Sequence, residues 1–220
     1  MVGGEAAKVV EESMRVFTAA NGTSGAPCDC KVGKTVAALF NDGNGKSWYR
    51  AKILERMPGQ VKVLFVDHGN VAKLPVATHL RPLDIALGTE RIPAIAKEAI
   101  LAAIKTRGLD DDDGMDAARL LQAVAWGKDM SARIFCENEG KLVLALYEPG
   151  NPCSINEQMV AEGMARVSKP IEIEVLSTKM INDENLSALA ADLRIAEKDA
   201  RRTHTGMWRY GDVGDDDEEY

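Results

Sequence analysis

Four groups of side chains in this sequence are placed to do chemistry: four cysteines, two runs of carboxylates, a set of basic residues between positions 31 and 62, and the tetrad Asp67-His68-Gly69-Asn70. Cys28, Cys30, Cys136 and Cys153 lack a paired C-x-x-C spacing and have too few histidines nearby for a zinc site, so they read as reduced thiols. Lys31, Lys34, Arg50, Lys52 and Lys62 would suit a structured-RNA surface, above all if Arg50, Lys52 and Lys62 share one face. The formal net charge of −7 argues against it, because phosphate contacts need a clustered cationic surface that releases counterions. Cationic ligands fit this chain better. The runs Asp110 to Asp113 and Asp215 to Glu219 have a plainer explanation, the first as the carboxylate-rich opening of a helix and the second as a solvated tail.

These groups must be held by regular elements, and the clearest is the stretch Val61 to Val66. Val61, Val63 and Phe65 alternate with Lys62, Leu64 and Val66, and the run stops at the tetrad, which predicts a buried strand entering a tight turn. Trp48 to Leu54 is a second alternating run, joined to it by Met57-Pro58-Gly59-Gln60, so the two pair antiparallel. Thr35 to Phe40 is a third. With Val71 to Leu74 and Thr78 to Arg81 the set would close a small bent barrel. Tyr49 and Trp48 fall on opposite faces of their strand, and Trp48 is assigned to the core.

Around this centre the pattern predicts a leading helix from Glu5 to Ala20 that carries Val9, Val10, Met14 and Phe17 and stops at Asn21-Gly22. A short helix from Asp116 to Ala125, a hairpin of Met130 to Glu137 with Lys141 to Tyr147, and a helix capped by Ser154 and Glu157 follow. The longest helix is expected from Asp183 to Thr205. With 45% apolar and 28% charged residues in 220, the chain can bury one good core or two small ones. No apolar run approaches a membrane span and the first residues lack the features of a signal peptide, so a soluble intracellular protein is the expectation, with no membrane partner.

A strand ending in Asp-(aromatic)-Gly-Asn, a dozen residues after Trp-Tyr-Arg-Ala, resembles the signature of Tudor domains. Here it is Phe40, Asp42, Gly43, Trp48-Tyr49-Arg50-Ala51, Val63, Phe65 and Asp67-His68-Gly69-Asn70. The leading helix, the α+β segment after the barrel and the ending Gly206-Met207-Trp208-Arg209-Tyr210-Gly211-Asp212 resemble the extended Tudor modules of the Tudor staphylococcal nuclease family. That resemblance implies an α+β, β-rich fold: a five-stranded Tudor (SH3-like) barrel over residues 30–87, inserted into an incomplete OB-fold nuclease-like domain made of 1–29 and 88–210, with an acidic tail over 211–220. It also implies that Ile92 to Lys105 holds a strand with Ile100, Ala102 and Ile104 on one face, although period and alanine content alone fit a helix there.

The resemblance further implies a cage for methylated arginine, most often the symmetric dimethyl form. By motif the cage is Phe40, Tyr49, Phe65 and His68, with the Asn70 amide at the guanidinium edge. Flat π faces attract a delocalised cation whose methyl groups have weakened its hydration. The family's usual tyrosine is His68 here, a smaller ring that acquires a proton in the physiological range. The partners implied are Arg/Gly-rich tails of spliceosomal Sm-type or Piwi-type proteins, within a cytoplasmic and nuclear setting of RNA silencing and splicing, with RNA reached through a longer parent protein. No cofactor, metal or catalytic residue is expected. The arginine and carboxylate set of a staphylococcal-type nuclease is missing, since Asp129, Glu137 and Glu139 lack suitably spaced arginines and Asp67 already belongs to the Tudor motif.

Overall fold

The computed structural model describes residues 4–41, 43, 45–181 and 185–211. Asp42 of the signature, Asp183, the Asp215 to Glu219 run and the first three residues lie outside that set. The chain divides into two compact units, Met1–Lys97 and Glu98–Tyr220.

The first unit opens with α1 (Gly4–Asn21), followed by β1 (Thr35–Asn41), β2 (Lys46–Met57), β3 (Gln60–Phe65), β4 (Val71–Pro75), the single turn α2 (Val76–His79) and β5 (Leu80–Arg81). The strands form one antiparallel sheet in the order β4-β3-β2-β1-β5. Its ladder stays open between β4 and β5. The expected strand from Thr78 to Arg81 is only Leu80–Arg81, because the chain leaves β4 at Pro75 and spends Val76–His79 in a helical turn.

β1 is covered on both faces, and that explains its continuous apolar run. Val36 and Ala38 look into a core with Ile53, Val61, Val63, Phe65 and Leu80. Ala37 and Leu39 look the other way, with Trp48, onto Val10 and Met14 of α1. The indole of Trp48 donates to the Gly22 carbonyl at 2.6 Å and its backbone N–H donates to Thr18 Oγ1 at 3.1 Å, which fastens the end of α1 to the sheet. Ile92 and Ile95 pack against the same cluster. β2 and β3 turn on Pro58-Gly59, with Gly59 at φ +72, and their register slips between Ile53 and Glu55, a bulge that leaves Leu54 as the extra residue.

The second unit contains β6 (Ala99–Leu101), β7 (Ile104–Lys105), α3 (Asp112–Ala125), β8 (Ser131–Asn138), β9 (Lys141–Tyr147), α4 (Ile155–Ala161), β10 (Arg166–Val167), α5 (Pro170–Ser177) and α6 (Leu186–Arg202). β6 runs parallel to β9, which pairs antiparallel with β8, and β7 pairs with β10. The expected strand from Ile92 to Lys105 is therefore two short pieces separated by a turn, in which Ala103 takes φ 60 and Ala102 and Ala103 are buried. Ile100 does not share a buried face with Ala102, since its side chain is 40% exposed. α6, at 17 residues, is shorter than expected and shorter than the 18 of α1. α5 is an element the sequence reading lacked; Pro170 starts it and Glu172 receives the Lys169 N–H.

Caps behave as the sequence suggests: Asp111 accepts from the Asp113 N–H at the head of α3, and Ser154 from the Glu157 N–H at the head of α4. The core joins Phe135, Cys136, Val143 and Ala145 to Ile155, Met159, Leu186 and Leu193. Asn156 is fully buried within it, donating to the carbonyls of Ala102 and Leu144 and accepting from the Leu146 N–H.

Candidate functional site

The tetrad after β3 is a tight corner. Phe65 accepts from the backbone N–H groups of His68 and Gly69 at 3.1 and 2.8 Å, and donates its own N–H to the Asn70 carbonyl at 2.9 Å. Gly69 sits at φ +82, a conformation that suits glycine. This closure sets the His68 ring against that of Tyr49.

What fixes the corner is Arg50, and here the structure corrects the sequence reading. Arg50 does not join Lys52 and Lys62 on a solvent face; its side chain is 0% exposed. Nε and Nη2 donate to the Asp67 carboxylate at 2.8 and 2.5 Å, Nη1 donates to the carbonyls of Leu87 and Ile92 at 3.0 and 2.7 Å, and Nη2 also donates to that of Pro93 at 3.1 Å. All five guanidinium N–H groups are thus used. Asp67 in turn accepts from the Ile95 N–H at 3.3 Å. The forked geometry is one that lysine cannot supply. Lys34 and Lys31 lie against Asp29, at 3.1 and 4.0 Å, so two more members of the basic set are partly neutralised.

Four rings stand in series above this network. The Phe40 and Phe65 centroids are 5.0 Å apart, Phe65 and Tyr49 are 6.1 Å apart edge-on, and Tyr49 and His68 are 5.1 Å apart edge-on. Phe40 and Tyr49 are half-buried, His68 is exposed and Asn70 is half-buried. Phe65 is only 1% exposed, so its ring is the floor on which Phe40 and Tyr49 stand. The structure therefore brings all five sequence-predicted residues together, with Phe65 beneath the others. The Asn70 carboxamide makes no hydrogen bond among the described residues. Trp48 lies in the core on the opposite face, as its parity in the strand requires.

One feature went unnoticed in the sequence. Tyr49 and His68 also line a cleft of about 610 Å³, whose far wall is α1 through Ala7, Val10, Glu11 and Met14. The helical spacing of those four positions was a signal for it. Among the described residues no three of His, Cys, Asp and Glu converge on a point that would hold a metal ion.

Residues 5–103, which include the Arg50–Asp67 pair and the ring-lined corner, match the Tudor domain family. The chain carries this domain within an extended Tudor fold: it superposes on the extended Tudor domain of Drosophila melanogaster Tudor-SN (p100) with a TM-score of 0.75 and 23% identity, covering 94% of this chain and 88% of that one. In sequence it is homologous to Tudor nucleases, being 31% identical over 209 residues to Ribonuclease TUDOR 2 of Arabidopsis thaliana and 31% identical over 189 residues to Staphylococcal nuclease domain-containing protein 1 of Drosophila melanogaster. Those matches take in 86% and 85% of this chain but only 20% and 18% of the relatives, so the chain spans about a fifth of their length. Extended Tudor domain TD3 from mouse TDRD1, solved with a MILI peptide containing a dimethylarginine, matches with a TM-score of 0.63 at 22% identity, over 76% of this chain and 84% of that one.

Proposed function

We propose that the first unit is a non-catalytic reader of methylated arginine in Arg/Gly-rich protein tails. The observation that carries this reading is the open series Phe40, Tyr49 and His68 over a Phe65 floor, with the Asn70 amide uncommitted beside it. Such a site offers π faces to the methylated guanidinium and a hydrogen-bonding edge that orients it. The TDRD1 complex supports the reading by analogy of fold. Piwi-type and Sm-type tails are the partner class proposed. The division into a barrel over 30–87 and a nuclease-like domain made of 1–29 and 88–210 is part of the same proposal, and nuclease activity is proposed only for a longer parent protein.

The test is calorimetric titration of the full chain with Arg-Gly peptides carrying symmetric dimethylarginine, asymmetric dimethylarginine or unmodified arginine. Dimethylated peptide is expected to bind more tightly, with Asn70→Ala and Phe40→Leu each reducing that preference by roughly 0.5–2 kcal/mol. Equal affinity for all three peptides would return the rings to a packing role.

A further inference from the structure

The cleft against α1 is continuous with the ring series, because Tyr49 and His68 belong to both. Its floor is apolar, formed by Val10, Met14, Trp48 and Ile95, and two of its α1 residues, Glu11 and Arg15, are charged and exposed. Those two are not equivalent. Arg15 is held by Glu12 in a two-pronged pair, Nε to Oε2 at 2.8 Å and Nη2 to Oε1 at 2.6 Å, which neutralises it locally. Glu11 has no ion-pair or hydrogen-bond partner for its carboxylate among the described residues. Asp67 and Arg50 at the back of the cleft neutralise one another. The net offering is an apolar trough with one unspent negative charge at its rim.

We propose that this cleft is a second subsite, which takes an unmodified arginine side chain flanking the methylarginine in the same peptide, with Glu11 as the specificity-determining residue. An arginine stem is apolar and its head is a cation, so it lies along Val10 and Met14 while the guanidinium meets the Glu11 carboxylate. An extended peptide advances about 3.2–3.4 Å per residue, so an arginine two residues from the methylarginine in an Arg/Gly-rich tail lies about 6.5–7 Å further on, within reach of the cleft that shares Tyr49 and His68 with the rings. An acidic side chain would meet Glu11 as a like charge. The inference rests on the methylarginine reading and adds to it a preference for paired arginines.

Two peptides decide the matter, each with one symmetric dimethylarginine, one flanked by glycine alone and the other with an unmodified arginine two residues away. The 220-residue chain is expected to bind the second about 2–5-fold more tightly, the range of an exposed ion pair. Glu11→Gln keeps helix propensity and should abolish that gain while leaving affinity for the glycine-flanked peptide unchanged. Glu5→Gln, which removes the same charge from α1 outside the cleft, should retain it. Equal loss in both variants would assign the gain to the general charge of the helix and overturn the subsite. Equal binding of both peptides by the native protein would overturn it as well, with the cage reading intact. If instead the glycine-flanked peptide binds no better than its unmethylated form, the cage reading fails first and the subsite falls with it.

Discussion

Replacing Asp67 with asparagine keeps the shape of the corner and removes the one charge that compensates Arg50. Two of the five guanidinium hydrogen bonds end on Asp67 and three on the carbonyls of Leu87, Ile92 and Pro93. Breaking a buried ion pair by deleting one partner costs about 3–5 kcal/mol, and the three surviving carbonyl bonds place this case near the lower end. For a unit of this size, a loss of about 3 kcal/mol lowers the melting temperature by roughly 12–24 °C. Arg50→Lys should be comparably damaging, because three ammonium donors cannot serve five acceptor positions. An apolar pair, Arg50→Met with Asp67→Leu, should not rescue stability, since it would leave three backbone carbonyls unsatisfied. The assay is urea unfolding of the full chain, followed by Trp48 emission and assigned to the first unit by hydrogen exchange of peptides from β2 and β3. An Asp67→Asn protein within about 1 kcal/mol of the native one would refute the view that this pair holds the corner.

His68→Tyr should tighten binding of a dimethylarginine peptide, because tyrosine offers the larger π face; unchanged affinity would take His68 out of the site. Gly163→Ala should destabilise the second unit by roughly 2–4 kcal/mol, because Gly163 sits at φ +64 and a Cβ there would run into the Thr205 carbonyl; a melting temperature near native would contradict the close approach. Burial and the neighbouring Cys30 push the Cys28 thiol up to about 11. Its alkylation should therefore lag behind that of exposed Cys153 and quicken about tenfold per pH unit up to that value, as peptide mapping would read.

How much of this was legible in the sequence depends on how local the determining contacts are. The β1–β2–β3 meander, the hairpin of β8 and β9, and the Ser154 cap rest on alternation and on contacts within a few residues, and they appear as read; the helix expected from Asp116 instead starts at Asp112, capped by Asp111. The five residues of the proposed site were read from a motif whose parts lie within thirty positions, and the structure places their rings in one series. Arg50 was misplaced because its decisive acceptors are backbone carbonyls 37 to 43 residues away, which leave no mark on side-chain identity. Phe65, read as a ring of the cage, is buried beneath Phe40 and Tyr49; alternation gives a face and says nothing of depth. The strand expected over Ile92 to Lys105 is present only as Ala99–Leu101 and Ile104–Lys105, because Ile92 and Ile95 are claimed by the packing around α1 and the buried turn at Ala102-Ala103 splits what remains.

The bulge at Leu54 carries a consequence for how this fold tolerates change in chain length. Between Ala51 and Ile53 the β2–β3 pairing is tied to the core, whereas beyond the bulge Glu55 and Arg56 are exposed and the hairpin ends in Pro58-Gly59. A strand normally transmits a one-residue insertion along its whole length by swapping its faces. Here the extra residue has already been absorbed, so the tip beyond the pair of Arg56 with the buried Val61 can lengthen while Trp48, Arg50 and the corner beyond Phe65 keep their phase. Relatives that differ by insertions should carry them at this tip, and an engineered tag or crosslinking residue placed there would leave the ring-lined end of the sheet undisturbed.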